Sequence, residues 1–273
     1  MLTEDDPDRV REAVAGVSGV DVARITQQGA GIAQIDAVLS TGSGIDEARS
    51  TIEALREAVE SFDDTHVTGT EASAIDQASS AARDRLLILP LILALVLGAL
   101  FVLLRSIVAP LLLVATVLAT YAASMGLSWW IFTGPLGFEA LDSGVPLLAF
   151  LFLVALGVDY NIFLVTRARE EAPRYGARGG MLRALTSTGG VITSAGILLA
   201  AVSSVLGVLS LVVLAQLGTI ICIGVLLDTL IVRTVLVPAL AFALGERFWW
   251  PRSVSTAADR AGQRITREAV VAL

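Results

Sequence analysis

The 273-residue chain has no lysine, one cysteine, one histidine and few aromatic residues, 6% in all. A lone cysteine, Cys222, excludes a disulfide framework. With His66 the only histidine, no His/Cys metal-ligand spacing can form, and neither a phosphate loop nor a nucleophile elbow occurs. The lack of lysine leaves arginine as the only fixed cation, 19 residues against 26 Asp and Glu, for a net charge of −7. No basic stripe exists to neutralise phosphates, which argues against nucleic acid as a partner. Met1 to Asp6 offers neither a basic n-region nor an apolar h-region, so no signal peptide is expected there.

What the chain has instead is apolar residues, 55% of the total, gathered into runs rather than spread. Mean hydropathy is +0.77. That concentration predicts a multi-pass helical membrane protein, not one large soluble core. Runs long enough to cross the roughly 30 Å hydrocarbon layer as helices cover Leu86–Leu104, Ile107–Phe132, Val145–Thr166, Ser187–Leu206 and Leu211–Val232. Arg105-Ser106 leaves room only for a tight hairpin between the first two, and Pro110 is tolerated in the helical turn that follows.

The first 80 or so residues read differently. Asp8 to Val14 predicts a short helix with Asp5 or Asp6 as N-cap and Pro7 at N1. Strand-like runs follow at Val20–Gln27 and Ile32–Leu39 around a Gly29-Ala30-Gly31 turn. Ser43 to Val59 has the spacing of an amphipathic helix, and Thr65 to Gly69 reads as a last short strand. The order α-β-β-α-β is that of a ferredoxin-like β-α-β-β-α-β unit without its first strand. That pattern suits a truncated gene, a fragment or a designed chain. Thr70 to Arg85 is expected to be a polar helix running straight into the first span.

Charge sets the expected orientation. Residues 1–85 hold 17 of the acidic residues but only 7 arginines, whereas the remainder is net positive. Arg105, the segment carrying Arg167, Arg169, Arg174, Arg178 and Arg183, and the tail residues Arg247, Arg252, Arg260, Arg264 and Arg267 fall on one side. The opposite loops, residues 133–144 and 207–210, lack arginine, and the first carries Glu139 and Asp142. The positive-inside rule makes the arginine side cytoplasmic, with the acidic N-terminal part outside. Trp249 and Trp250 then fit an aromatic belt at the cytoplasmic interface.

Inside the third run stands Gly157-Val158-Asp159-Tyr160-Asn161. Asp159 lies eight residues before Arg167, roughly 12 Å into the membrane at 1.5 Å per residue. A charge there costs roughly 2.5–3.5 kcal/mol on insertion scales, and such groups mark ion or proton paths. Desolvation disfavours the carboxylate, so Asp159 can load and release a proton. The Tyr160 phenol can donate to or accept from it. Neighbours on a helix point about 100° apart, so the two cannot both face one partner group.

Asp228 and Arg233 on the last run are five apart, a spacing that puts them on different α-helical faces, so they need not pair. Asp228 either joins the relay or sits at the interface, where Arg233 is expected to snorkel. On the fourth run, Thr193, Ser194 and Gly196 predict close helix packing, with a hydroxyl bond from Thr193 or Ser194 to Asp159 as the alternative.

Four features together resemble the MMPL (mycobacterial membrane protein large) branch of the resistance–nodulation–division transporters. They are an α/β domain feeding a span, the hairpin Arg105-Ser106-Ile107-Val108-Ala109-Pro110, Gly157-Val158-Asp159-Tyr160, and the closing Gly245-Glu246-Arg247-Phe248-Trp249-Trp250-Pro251. The resemblance covers nearly all of residues 1–252. It implies a partial extracytoplasmic porter-like domain at 1–80, a five-helix membrane domain at 81–250 and a cytoplasmic tail at 251–273, in a plasma (inner) membrane. It implies that Asp159 and Tyr160 form half of a proton relay, completed by an Asp-Tyr pair in a first half of the transporter. It further implies export of lipid-like cargo, with protons as coupling ion and no other cofactor. A chain with only these parts is expected to be incomplete alone, needing that first half as a partner or forming homo-oligomers.

Two rival readings differ in class. An accessory or degenerate half-transporter would carry the same residues without transporting. An intramembrane aspartyl protease would use Asp159 and Asp228, but the Gly-x-Gly-Asp signature is absent, so no enzymatic activity is expected.

Overall fold

The computed structural model describes residues 1–29, 31–40, 45–138, 140–252 and 254. Ala30 of the expected turn, Ser43, Glu139 and the tail arginines 260, 264 and 267 lie outside them. The described chain divides into two compact units, Met1–Arg83 and Asp84 onward.

In the first unit, β1 (Leu2–Thr3) leads to α1 (Pro7–Ala15), whose first turn is capped by Asp6, its carboxylate accepting from Asp8 N–H. The antiparallel pair β2 (Val20–Gly29) and β3 (Ile32–Leu39) follows, then α2 (Ile45–Val59). The sheet order is β1-β3-β2. Val10, Val14, Ile35, Leu55 and Val59 form the core, one stripe from each helix against the inward face of β3.

Two expectations change here. The strand expected to be missing is represented by β1, which pairs antiparallel with β3. The strand expected at Thr65–Gly69 reduces to a single antiparallel bridge, His66 to Leu2. Thr65–Gly69 contains Gly69 at φ 135°, a conformation that ends a strand rather than extends it.

Among the described residues four helices are long and apolar enough to cross a membrane. They are α3 (Thr70–Leu104), which begins in the first unit, α4 (Val108–Thr133), α5 (Val145–Leu206) and the helical run Val212–Trp249. That last run comprises α6 (Val212–Leu227), a π-helical segment Asp228–Leu236, α7 (Val237–Leu244) and a 3-10 turn Gly245–Trp249. Polar residues 70–85 and the first apolar run are indeed one helix.

The third and fourth apolar runs, expected as separate helices around an arginine-rich loop, join in one 62-residue element. It is two helices merged across a kink at Gly176, where φ is 75° and ψ 168°. Only glycine tolerates that backbone readily. The arginine-rich segment reads as loop by charge, yet Arg167-Ala168-Arg169-Glu170-Glu171-Ala172 is made of good helix formers. Arg167 pairs with Glu170 and Glu171, three and four residues on. Past the kink the limbs fold together so closely that a Cβ on Gly180 would lie 2.7 Å from Ala168 O and 2.8 Å from Ala172 N.

Arginines also tie helix ends. Arg169 Nη1 donates to Leu103 O at 2.8 Å, and Arg178 Nε to Phe242 O at 3.0 Å, each near a C-terminus whose carbonyls lack helical partners. Ser106 Oγ in the α3–α4 linker donates to Phe248 O and Trp250 O, both at 3.1 Å. Trp249, expected in an interfacial belt, is instead buried against Phe248, while Trp250 is exposed. At the opposite end the fully buried Gln216 accepts from Asp142 N–H and donates to Ala140 O.

A buried ion pair on a pi-helical turn

Asp228 and Arg233 are buried, and they are paired: Arg233 Nη2 donates to Asp228 Oδ2. The five-residue spacing left pairing open, and the structure closes it; Arg233, expected to snorkel, is instead buried against Asp228. The reason is local geometry. In an α-helix residues five apart diverge, whereas a π-helix closes i→i+5 bonds and brings such residues onto one face. The π segment starts at Asp228, so the pair spans one of its turns.

Above the pair lies the ring of Tyr160, its centroid 4.6 Å from Arg233 Cζ, a cation–π contact in an apolar setting. Gly157, one turn earlier on α5, packs against α4 beside the pair. A Cβ there would come 3.1 Å from Val117 Cγ2 and 4.0 Å from Asp228 Oδ1. Thr120, Gly157, Tyr160 and Asp228 line a cavity of about 10 Å³, room for about one water molecule.

The cluster is incompletely satisfied. Asp228 Oδ1, Arg233 Nε and Arg233 Nη1 are buried without a hydrogen-bond partner, as are both amide atoms of Asn161. Buried polar groups without partners are rare and concentrate where strain or function resides. The pair is therefore held at a cost rather than for stability alone.

Asp159 falls on another side. It is exposed, while Tyr160 beside it is half-buried and faces the pair. The roughly 100° between neighbours places the carboxylate on the outer face of α5 and the phenol on the inner one. Thr193 is half-buried, and Ser194 Oγ donates within its own helix, to Val191 O at 3.0 Å. Gly196 on that limb packs directly on the Thr229 side chain, leaving no room for a Cβ. The structure thus brings Tyr160, Asp228 and Arg233 together and leaves Asp159, Thr193 and Ser194 outside that cluster. Asn161 carries a signal that was readable: it lies four residues after Gly157, on the same buried face.

Four described helices long and apolar enough to cross a membrane, one of them interrupted by a π-helical turn that carries a buried ion pair, describe a multi-pass membrane protein. The MMPL family model matches residues 3–264, and the chain belongs to that family. ActII-3 of Streptomyces coelicolor is 45% identical over 254 residues, 92% of this chain and 36% of that protein. The apo-petrobactin exporter of Bacillus anthracis is 40% identical over 193 residues, 71% of this chain and 26% of that one. The sulfolipid-1 exporter MmpL8 of Mycobacterium tuberculosis is 42% identical over 184 residues, 67% and 17% respectively. The chain spans about a third of the length of the first relatives it matches. MMPL proteins are transporters, not enzymes, which removes the protease reading.

Proposed function

We propose that the chain is the C-terminal part of a proton-driven exporter of lipids or other hydrophobic compounds. The observation that carries this reading is the Asp228–Arg233 pair buried under Tyr160 in a membrane bundle. The Asp228 carboxylate serves as the proton site because it is buried with Oδ1 unpartnered, and Arg233 is its partner when it is ionised. Protonation removes the charge that holds Arg233, the π-helical turn loses its side-chain tie, and the helices repack. Asp159, on the outer face of α5, meets the remainder of the longer protein, where an Asp-Tyr pair in the first half completes the relay that Asp159 and Tyr160 begin. Relatives named as a sulfolipid-1 exporter and an apo-petrobactin exporter support cargo export, the former lipid-like cargo.

In this reading α5 crosses twice, turning at Gly176, so the bundle has five crossings in a plasma (inner) membrane. The N-terminal domain (1–80) is extracytoplasmic, followed by the membrane domain (81–250) and a cytoplasmic tail (251–273). The strand order His66–β1–β3–β2, antiparallel throughout, supports a ferredoxin-like split βαβ unit in that first domain.

The test is export by the full-length transporter under an imposed pH gradient, with membrane abundance checked. Asp228→Asn and Asp159→Asn keep size but cannot change charge, and each should abolish export at normal abundance. Tyr160→Phe should impair it less. Full export by Asp228→Asn would overturn the coupling role of the pair, and full export by Asp159→Asn would remove Asp159 from the relay. Orientation is checked in a Cys222→Ala background: an impermeant thiol reagent should label Leu209→Cys and spare Arg174→Cys in intact cells.

A further inference from the structure

One face of α4 carries a hydroxyl at every fourth residue: Thr116, Thr120, Ser124 and Ser128, all buried and the two serines completely so. A spacing of four keeps them in one line along the helix. Thr116 donates to Leu113 O at 2.8 Å, and Thr120 and Ser124 donate to Thr116 O and Tyr121 O, both at 2.9 Å. These bonds leave the three oxygens free to accept. Ser128 Oγ has no hydrogen-bond partner among the described residues. Thr120 lines the small cavity that Asp228 and Thr229 also line, and Asp228 Oδ1 is the carboxylate oxygen without a partner. Beyond Thr116 the same face of α4 continues as Leu113 and Ala109, which enter an apolar cluster with Leu164, Val165 and Val232. The hydroxyls therefore lead from the ion pair towards one end of the bundle only. That end is marked by the buried Phe132, whose ring packs on Phe138 at 5.8 Å.

Close packing alone does not call for this chemistry. Alanine would let the helices approach as closely, with better helix propensity and no hydroxyl to bury. The spacing itself has a use. At about 1.5 Å per residue, hydroxyls four residues apart stand roughly 6 Å apart along the axis. That is too far for a direct bond, but one water bonded to both at about 2.8 Å spans it. We propose that Ser128, Ser124 and Thr120 form the path by which protons reach Asp228, each step bridged by one water admitted between α4 and its neighbours α5 and α6. This inference rests on the reading of Asp228 as the proton site. A hydroxyl is donor and acceptor at once, so each member releases a proton forward while it takes another from the water behind. No member of the path keeps a charge. The transfer ends when an O–H bond forms at Asp228 Oδ1 and the water beside Thr120 regains its proton from behind. In the orientation read from arginine placement, Ser128 lies towards the extracytoplasmic end, the side from which a proton gradient delivers.

The experiment measures the initial export rate of the full-length transporter under an imposed pH gradient, with membrane abundance checked for every variant. Thr120→Val keeps the volume and removes the hydroxyl, whereas Thr120→Ser keeps the hydroxyl and removes a methyl group. The path predicts that Thr120→Val loses at least tenfold in rate and that Thr120→Ser restores most of that loss. A stripe that serves packing alone predicts the reverse order. Ser128→Ala, which removes a hydroxyl with little change of shape, should also lose severalfold at normal abundance. Lowering the external pH at a constant gradient should recover part of both losses, because proton delivery has become limiting. Asp228→Asn is run alongside. Full export by Thr120→Val while Asp228→Asn is inactive would overturn the path and leave the proton site standing. Full export by Asp228→Asn would remove the site and the path with it.

Discussion

The ion pairs described in the first unit and the buried pair of the second work in opposite ways, although the second unit also has local helix pairs at Arg167. In the first, Arg56 meets Asp76 at 2.7 Å, Arg49 meets Glu53 and Arg11 meets Asp8, all with solvent-exposed side chains. Each charge keeps its water, and the helices would form without the pair. In the second, Asp228 and Arg233 have given up water, and the helix beneath them adopts the π form that puts residues five apart on one face. In the first unit, then, two of the pairs follow local helix spacing and the third joins α2 to α3, all of them without giving up water. In the second, a pair that must meet coincides with a departure from α geometry.

The comparison breaks if removing the buried arginine costs no more than removing an exposed one. Arg233→Ala leaves Asp228 buried and uncompensated, a loss of about 3–5 kcal/mol for such pairs. The corresponding drop in the unfolding midpoint in detergent should be the largest of any single substitution discussed. Asp228→Ala in the same chain should restore much of it, because the orphaned charge is gone. Additive losses from the two substitutions would mean that the pair is not a unit.

This difference also explains what could be read in advance. Hydropathy located the apolar runs because burial in lipid needs only length and composition, and Asp159-Tyr160 stood out as polar groups within such a run. The pairing of Asp228 with Arg233 was hidden because α-helical periodicity places positions five apart on different faces, and nothing in Asp228-Thr229-Leu230-Ile231-Val232-Arg233 announces a π turn. The helical hairpin at Gly176 was obscured by charge, although Tyr175-Gly176 after a helix-forming run is a breaker signal. In the first unit α1, β2, β3 and α2 follow from alternation, periodicity and capping, whereas the strand expected at Thr65–Gly69 is a single bridge. The short β1 does not follow from them, since two residues carry no period.

A second contrast concerns packing. Small residues on the fourth run permit close helix approach, and Gly196 against Thr229 is such a contact, one residue after Asp228. Gly196→Val should therefore cost about 1–3 kcal/mol by overpacking, and Thr229→Ala should relieve part of it. Gly190, on the same limb with nothing within 4 Å, is the matched control. Gly190→Ala should leave the unfolding midpoint nearly unchanged, and a loss equal to that of Gly196→Val would show that the limb tolerates no side chain anywhere.

The smallest effect tests the exposed side of the comparison. Arg56→Ala removes the Arg56–Asp76 bond between α2 and the start of α3, with both partners in contact with solvent. Pairs of this kind contribute about 0.2–1 kcal/mol, and salt screens them over a Debye length of about 8 Å at physiological ionic strength. The substitution should lower stability of the first unit by no more than that, and raising the salt concentration should shrink the difference further. The Arg233→Ala deficit should respond far less to salt, because no counterion reaches a side chain that is 1% exposed. If salt erased both deficits equally, Asp228 and Arg233 would be solvated in the working protein, and the distinction between the two kinds of pair would fall.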